Sequence, residues 1–322
     1  MKRSLIALQM IVLAALSFAA SAAAQEPEST PEQRNQKVRT VSIPISIYTK
    51  QELKEEQAQE YLAVDRLSVL ENDEEQQIIS IRSVTDAPLA LAILIQDDLT
   101  SNFNLQLKSL RAFIRALPNG SRVMVAYLRG GRLQIRQKFT TDMDEASDAL
   151  RIVLSNPAAA PRNPYEGLID TLNRFDALPA GRRAALMVSD GLDVSSGFDA
   201  ASPSQSTDLD RAILRAQRKS VAVFTIYSPA TYTRDRDQRL VSFGQGSLLK
   251  LADATGGRAF FSGTNAPVSF EPFLRPLKIL LNRQFLLTYL TANMKKGYYR
   301  VEVKSTNPEV KIEHPKGYYY RQ

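Results

Sequence analysis

Three short, unbroken apolar runs constrain this chain more than anything else in it. They are Leu91–Ile95 in "LAILIQDD", Ala184–Val188 in "RRAALMVSDG", and "VAVFTIY" at Val221–Tyr227. A strand with one wet face alternates apolar and polar residues; a continuous run marks a strand buried on both faces. Between the first two runs the period changes. Phe103, Leu107, Leu110, Ile114 and Leu117 fall on one helical stripe over 101–117. Strands alternating with amphipathic helices predict an α/β fold with a mostly parallel sheet covered on both faces.

The remaining pattern fits the same layout. "RVMVAYL", Gly130-Gly131 and "RLQIRQKF" read as an edge hairpin. Helices are expected near 143–154 and 165–176. Thr207 caps another, with Asp210 three residues on and Arg215, Arg218 and Lys219 at its end. "SLLKLADATGG" is a helix closed by glycine, with Ser247 read as its N-cap. "RAFF" is a short last strand, and 271–283 a last helix.

The flanks are different. In "VSIPISIY", Val41, Ile43, Ile45 and Ile47 face one way and Ser42, Pro44 and Ser46 the other. This is a half-buried strand, and Pro44 places it at an edge or a bulge. "LAVDRLSVLENDEEQQIISIRSV" adds two strands around Asn72-Asp73-Glu74, and "YYRVEVK" and "VKIEHPKGYYYR" are β-like as well. Neither flank buries enough surface alone. The expected division is therefore an N-terminal β segment at 38–86, an α/β domain at 87–283, and a C-terminal β segment at 284–322 that pairs with the first.

Residues 1–24 read as a signal peptide: Lys2 and Arg3, an apolar stretch from Leu5 to Ala20, then Ala22-Ala23-Ala24 before Gln25. Residues 25–37, without apolar content until Val38, read as a disordered lead-in. The expected location is the periplasm or the cell exterior. The chain holds no cysteine and one histidine, His314. That excludes disulfides, thiolate metal sites, a cysteine nucleophile, a His-based triad and multi-histidine metal sites. The formal charge of +7 falls by two when Lys2 and Arg3 are removed, and the surplus is spread along the chain. Nucleic acid is therefore not the expected partner.

In open α/β sheets, ligands bind outside the carboxyl ends of strands where strand order reverses. Two apolar runs end in acids there: Leu91–Ile95 at Asp97 and Asp98, followed by Thr100 and Ser101, and Ala184–Val188 at Asp190. If the two strands are neighbours, these acids converge. The motif "ILIQDDLT" also resembles the D-x-D-x-T opening of haloacid-dehalogenase-type phosphatases, with Asp190 and Asp193 as further acids. Gln96 would then stand where that chemistry needs a nucleophilic carboxylate, and an amide forms no phosphoaspartate.

Residues 88–283 resemble a von Willebrand factor A (VWA) domain. The flanks make the chain similar to the VWFA-related family of secreted, acidobacterial-type bacterial proteins. "LAILIQDDLTS" stands where the family has an apolar strand followed by D-x-S-x-S. "LMVSDG" matches a strand ending in T-D-G or S-D-G, and "FLLTYL…KKGYYRVEVK…KGYYY" matches a closing β segment. The resemblance implies a Rossmann-like fold, no enzymatic activity, and a metal-ion-dependent adhesion site for Mg²⁺ that recruits a partner's carboxylate.

The ligand pattern departs from that family. With Asp97 leading, Leu99 takes the first serine position and Ser101 the second. In the other register, Gln96 leads, with Asp98 and Thr100 following. Glu166 or Tyr165 in "NPYEGLIDTL" stands near the family's threonine, and Asp190 matches directly. The candidate metal ligands are thus Asp97, Asp98, Thr100, Ser101, Glu166 and Asp190, holding Mg²⁺, a more Ca²⁺-like ion, or none. The expected function is an exported adhesion module. It would bind a protein or envelope partner through loops 96–103, 155–166, 190–206 and 228–246. The alternatives are a structural envelope protein with an inert crevice and a catalytically dead phosphatase-like fold.

Overall fold

Buried runs and amphipathic stripes become a six-stranded sheet clad in helices. The computed structural model of the protein describes residues 37–55, 67–83, 88–179, 181–196, 199–231, 233 and 237–320. The signal peptide expected at 1–24 and all but Lys37 of the lead-in lie outside the described residues.

In chain order, β1 (Arg39–Thr49), helix α1 (Lys50–Glu55), β2 (Leu67–Glu71), β3 (Glu74–Gln76) and β4 (Ile78–Arg82) form the N-terminal part. Next come β5 (Leu89–Gln96), a 3₁₀ turn at Ser101–Gln106, α2 (Leu107–Arg115), β6 (Arg122–Arg129), β7 (Arg132–Thr140) and α3 (Met143–Asp148). They are followed by α4 (Tyr165–Arg174), β8 (Arg182–Ser189), α5 (Thr207–Arg218), β9 (Val221–Tyr227), α6 (Gln238–Thr255), β10 (Ala259–Phe260) and α7 (Glu271–Asn282). The chain closes with β11 (Gln284–Thr291), β12 (Gly297–Ser305), β13 (Val310–Glu313) and β14 (Gly317–Tyr320).

The central sheet has the order β10-β9-β8-β5-β6-β7. All its pairings are parallel except the β6–β7 edge hairpin. From β5 the chain crosses to β6 on one side; β8 returns to the other side of β5 and leads on to β9. Strand order therefore reverses between β5 and β8. Leu91, Ile93 and Ile95 pack on one face with Leu110 and Ile114 of α2 and Leu277 and Leu280 of α7. Ala92 and Leu94 pack on the other with Leu168 and Leu172 of α4, Leu209 of α5 and Leu248 of α6. Both faces are dry, which is why the strands carry no polar alternation.

The flanks form two four-stranded sheets, β13-β1-β11-β4 and β14-β12-β2-β3. Val41, Ile43, Val69, Leu287, Val301 and Val303 share one core between them. Glu71 ties this core together. Its carboxylate accepts from Tyr289 Oη (2.8 Å), Tyr318 Oη (2.7 Å), Thr291 Oγ1 (2.6 Å) and Asn293 Nδ2 (2.7 Å).

Several local expectations change. Strand β1 is buried on both faces over 43–49, not half-buried, and Ser220 Oγ donates to Ser42 O at 2.7 Å from the helical unit. Pro44 lies on the stretch of β1 that pairs only with β11; β13 joins from Ser46 onward. The stripe at 101–117 starts as a 3₁₀ turn. The helix expected at 143–154 stops at Asp148, because Arg151 is drawn toward Asp97 (below). Ser206, not Thr207, caps α5, its hydroxyl accepting from Leu209 N at 3.1 Å. Ser247 lies inside α6, which begins much earlier at an Asp237 cap.

Candidate functional site

The ends of β5 and β8 are neighbours, with Ile95 paired to Val188, so Gln96, Asp98, Ser189 and Asp190 meet at the reversal point. All four are buried. Gln96 is the hub. Its Nε2 donates to Asp98 Oδ1 at 2.8 Å. Its Oε1 accepts from Ser189 Oγ at 2.5 Å and from Asp190 N at 3.3 Å. The amide spans the two strand ends by presenting a donor to the acid on one and an acceptor to the donors on the other.

The second oxygen of Asp98 is also occupied. Oδ2 accepts from Thr231 N at 3.2 Å and from the Thr231 hydroxyl. Leu99, where a serine would be needed, is fully buried and bridged to Ala230. Thr100 N donates to Pro229 O at 2.9 Å, and Ser155 Oγ to Leu99 O at 2.7 Å. The loops following β5, α3 and β9 are thereby stapled to one another.

Asp97 faces away from this network. It pairs with Arg151 at 2.8 Å and with Arg129 at 3.6 Å. Arg151 lies over the Tyr127 ring, 4.1 Å from its centre, and its main-chain N donates to Tyr127 Oη at 2.8 Å. The Asp97 carboxylate raises the Arg151 pKa further above its ordinary value, overcoming the burial that works against it. Glu166 is exposed on the first turn of α4; Asn163 Oδ1 accepts from its N–H at 3.0 Å. Tyr165 points inward instead, its hydroxyl donating to Gly191 O at 2.6 Å.

Asp190 is the strained member. Oδ1 accepts from Leu192 N at 3.2 Å, while Oδ2 is buried without a hydrogen-bond donor among the described residues. Burial, then the neighbouring Asp98 charge, push its pKa up to about 7. Two buried carboxylates facing each other disfavour one another's ionised form. Helix α6 imposes the burial. Gly191 has φ +71°, a Cβ on it would stand 2.5 Å from Gly244 O, and a Cβ on Gly244 would stand 1.9 Å from Asp190 O. Only glycine at both positions lets helix and turn approach this closely.

These side chains do not fit a divalent ion. Such an ion takes about six oxygen ligands, yet both oxygens of Asp98 already have donors, Asp97 is neutralised by arginine, Leu99 has no ligand atom and Glu166 is exposed. Among the candidate ligands, Asp190 Oδ2 and Thr100 Oγ1 are buried without a hydrogen-bond partner among the described residues, and Asp97 Oδ1 is held only by its ion pair with Arg151. Among the described residues no three acidic or histidine side chains are placed to share an ion.

No family profile matches the chain, and no curated protein does. Among solved structures it is similar to the conserved hypothetical protein BatB from Bacteroides thetaiotaomicron, at 14% identity over 59% of this chain and 95% of that one, with a TM-score of 0.43. It is also similar to a von Willebrand factor type A protein from Catenulispora acidiphila, at 12% identity over 89% and 74%, TM-score 0.40. A third is the manganese-loaded TRAP protein from Plasmodium vivax, at 10% identity over 77% and 97%, TM-score 0.41.

Of the six candidate ligands, Asp98 and Asp190 interact across the strand ends, Thr100 and the exposed Ser101 line a neighbouring cavity, and Asp97 and Glu166 turn elsewhere. Sequence reasoning missed Thr231, Arg151 and Tyr127. Thr231 lies 133 residues from Asp98, and no local pattern links the two. Beside the network a cavity of about 340 Å³ opens to solvent, lined by Thr100, Ser101, Asn102, Thr233, Thr264 and Asn265 among others. Its lining among the described residues offers hydroxyl and amide groups and no charged side chain.

Proposed function

We propose that this chain is a VWA-like, non-enzymatic adhesion module that binds a protein partner on the rim at the carboxyl edge of its central sheet, without a divalent ion. The reading includes export by the 1–24 segment to the periplasm or cell exterior. It also takes 38–86 and 284–322 as one β unit into which 87–283 is inserted. The pairings of β1 with β11 and of β2 with β12 support that division.

One observation carries the partner assignment. Four bulky apolar side chains beside the polar cavity face solvent: Leu105 (75% exposed), Ile152 (57%), Leu154 (74%) and Val268 (96%). Their segments are held in place by amide clamps. Asn104 donates to Val153 O at 3.0 Å and accepts from Val153 N at 2.8 Å. Gln106 donates to Val268 O at 3.1 Å and accepts from Phe270 N at 2.9 Å. Apolar side chains held in the open beside hydrogen-bonding groups supply the two kinds of contact that a protein interface combines. The Gln96 amide does the bridging between strand ends that an ion would otherwise do, so the rim is preformed.

The test is capture of envelope partners by cross-linking to the exported protein in EDTA. Wild type is expected to retain its partner in EDTA. The double variant Leu105→Asp, Leu154→Asp, altered at exposed positions only, is expected to lose it while its thermal midpoint stays put. Retention by the double variant, or loss in EDTA, would overturn the assignment.

A further inference from the structure

A second concave surface lies away from the rim, between the outer face of the β14-β12-β2-β3 sheet and the α5–α6 layer. Its void of about 440 Å³ is lined by Tyr298 and Tyr319 on the sheet side and by Asp210, Ile213, Gln217 and Lys250 on the helical side. A second void of about 230 Å³ adjoins it at Gln217 and Tyr319 and runs along β1 from Arg39. Small-molecule sites favour such junctions between packed units.

The aromatic wall is built. Tyr298 and Tyr319 are opposite each other in the β12–β14 register, with ring centres 5.2 Å apart. Both remain well exposed, at 46% and 43%. Gly317 makes room for this: a Cβ there would stand 2.4 Å from the Tyr298 ring. On the opposite wall, Lys250 pairs with Asp210 at 2.7 Å and donates to Pro203 O at 2.8 Å. Gln217 is oriented by a 2.8 Å bond to Ala254 O. An ion pair between Lys316 and Asp253, at 2.7 Å, links the sheet side to α6.

We propose that this cleft binds a saccharide chain. A pyranose ring has an apolar C–H face that lies against aromatic rings, which are themselves apolar with a polar tip. Around that face it carries hydroxyls, each able to donate and accept, matching the carboxylate, ammonium and amide opposite. A lipid tail would strip water from the Asp210–Lys250 pair without replacing its hydrogen bonds. A phosphate would meet the Asp210 carboxylate. Two arginines line the second void: Arg39 is already engaged by Asn293 O (2.8 Å), Tyr318 Oη (2.7 Å) and the Tyr320 ring (3.9 Å), and Arg218 lies exposed at the end of α5. Two adjoining voids meeting at Tyr319 suit more than one sugar unit.

The chain has 12 tyrosines and no tryptophan, so intrinsic fluorescence reports on tyrosine alone. Titrations would use β-1,4-linked N-acetylglucosamine tetrasaccharide, cellotetraose and maltotetraose, followed by fluorescence and heat on the full chain. At least one is expected to saturate. Tyr298→Ala and Tyr319→Ala are each expected to weaken it by about tenfold or more, with unchanged circular dichroism and thermal midpoint. The rim double variant is expected to bind as wild type does, which separates this site from the rim. No binding of any tetrasaccharide at millimolar concentration, or equal affinity in wild type and both tyrosine variants, would overturn the proposal.

Discussion

At the scale of single residues, the crevice is governed by which charges have partners. Adjacent aspartates at the end of one strand have opposite fates. Asp97 is ion-paired with Arg151 and Arg129, whereas the oxygens of Asp98 are hydrogen-bonded by the Gln96 amide and by Thr231. The sequence displays the two acids and Gln96, but their partners arrive from loops distant along the chain, so only the meeting of the two strand ends was legible. Asp190 gives a direct test. Its folded pKa of about 7 lies above the unfolded value of roughly 3.9. The stability tied to its protonated form is therefore complete below about pH 4 and is lost as pH rises through about 7. Asn at this position keeps the shape and does not titrate. The stability of Asp190→Asn relative to wild type is expected to rise by about 2–4 kcal/mol between pH 4 and pH 8, levelling off above pH 7. Denaturant melts across that range check it; a difference that stays flat would mean Asp190 ionises normally.

At the scale of elements, dry strands were legible and their edges were not. The runs at Leu91–Ile95, Ala184–Val188 and Val221–Tyr227 became β5, β8 and β9 because a strand buried on both faces has no other pattern available. Helix ends failed where a tertiary contact outbid local preference: Arg151 leaves the helical path to reach Asp97, and Ser206 takes the cap position while also bonding Asp193. The β flanks hang on Glu71, which gathers donors from β11, from β14 and from Asn293 around a side chain of β2. Burial alone would raise its pKa, and four hydrogen bonds, led by Thr291 and Tyr318, outweigh that and lower it. Stability from this depressed group is present above the unfolded pKa and is lost as pH falls through the folded one. Glu71→Ala leaves two tyrosine hydroxyls, a threonine hydroxyl and an amide without their acceptor. The expected cost is about 2–4 kcal/mol at neutral pH, shrinking in acid. A shift in urea midpoint below about 0.5 kcal/mol would show that these donors find water instead.

At the scale of the whole molecule, strand order explains why one edge carries the site. The reversal between β5 and β8 opens the crevice, and the loops after β5, α3 and β9 close over it with hydrogen bonds of their own. No helix among the described residues is long and apolar enough to cross a membrane. The rim gathers hydroxyl, amide and apolar groups, while Asp97, Asp98 and Asp190 lie inside, already paired or expected to take a proton, and Glu166 is exposed. On the proposed reading, this closed network stands in place of a metal site. Calorimetric titration of Mg²⁺ and of Ca²⁺ into the chain at neutral pH, alongside thermal melts, is the direct check. No saturable heat and no rise in midpoint are expected at millimolar ion; stoichiometric binding with a rise in midpoint would refute the metal-free reading.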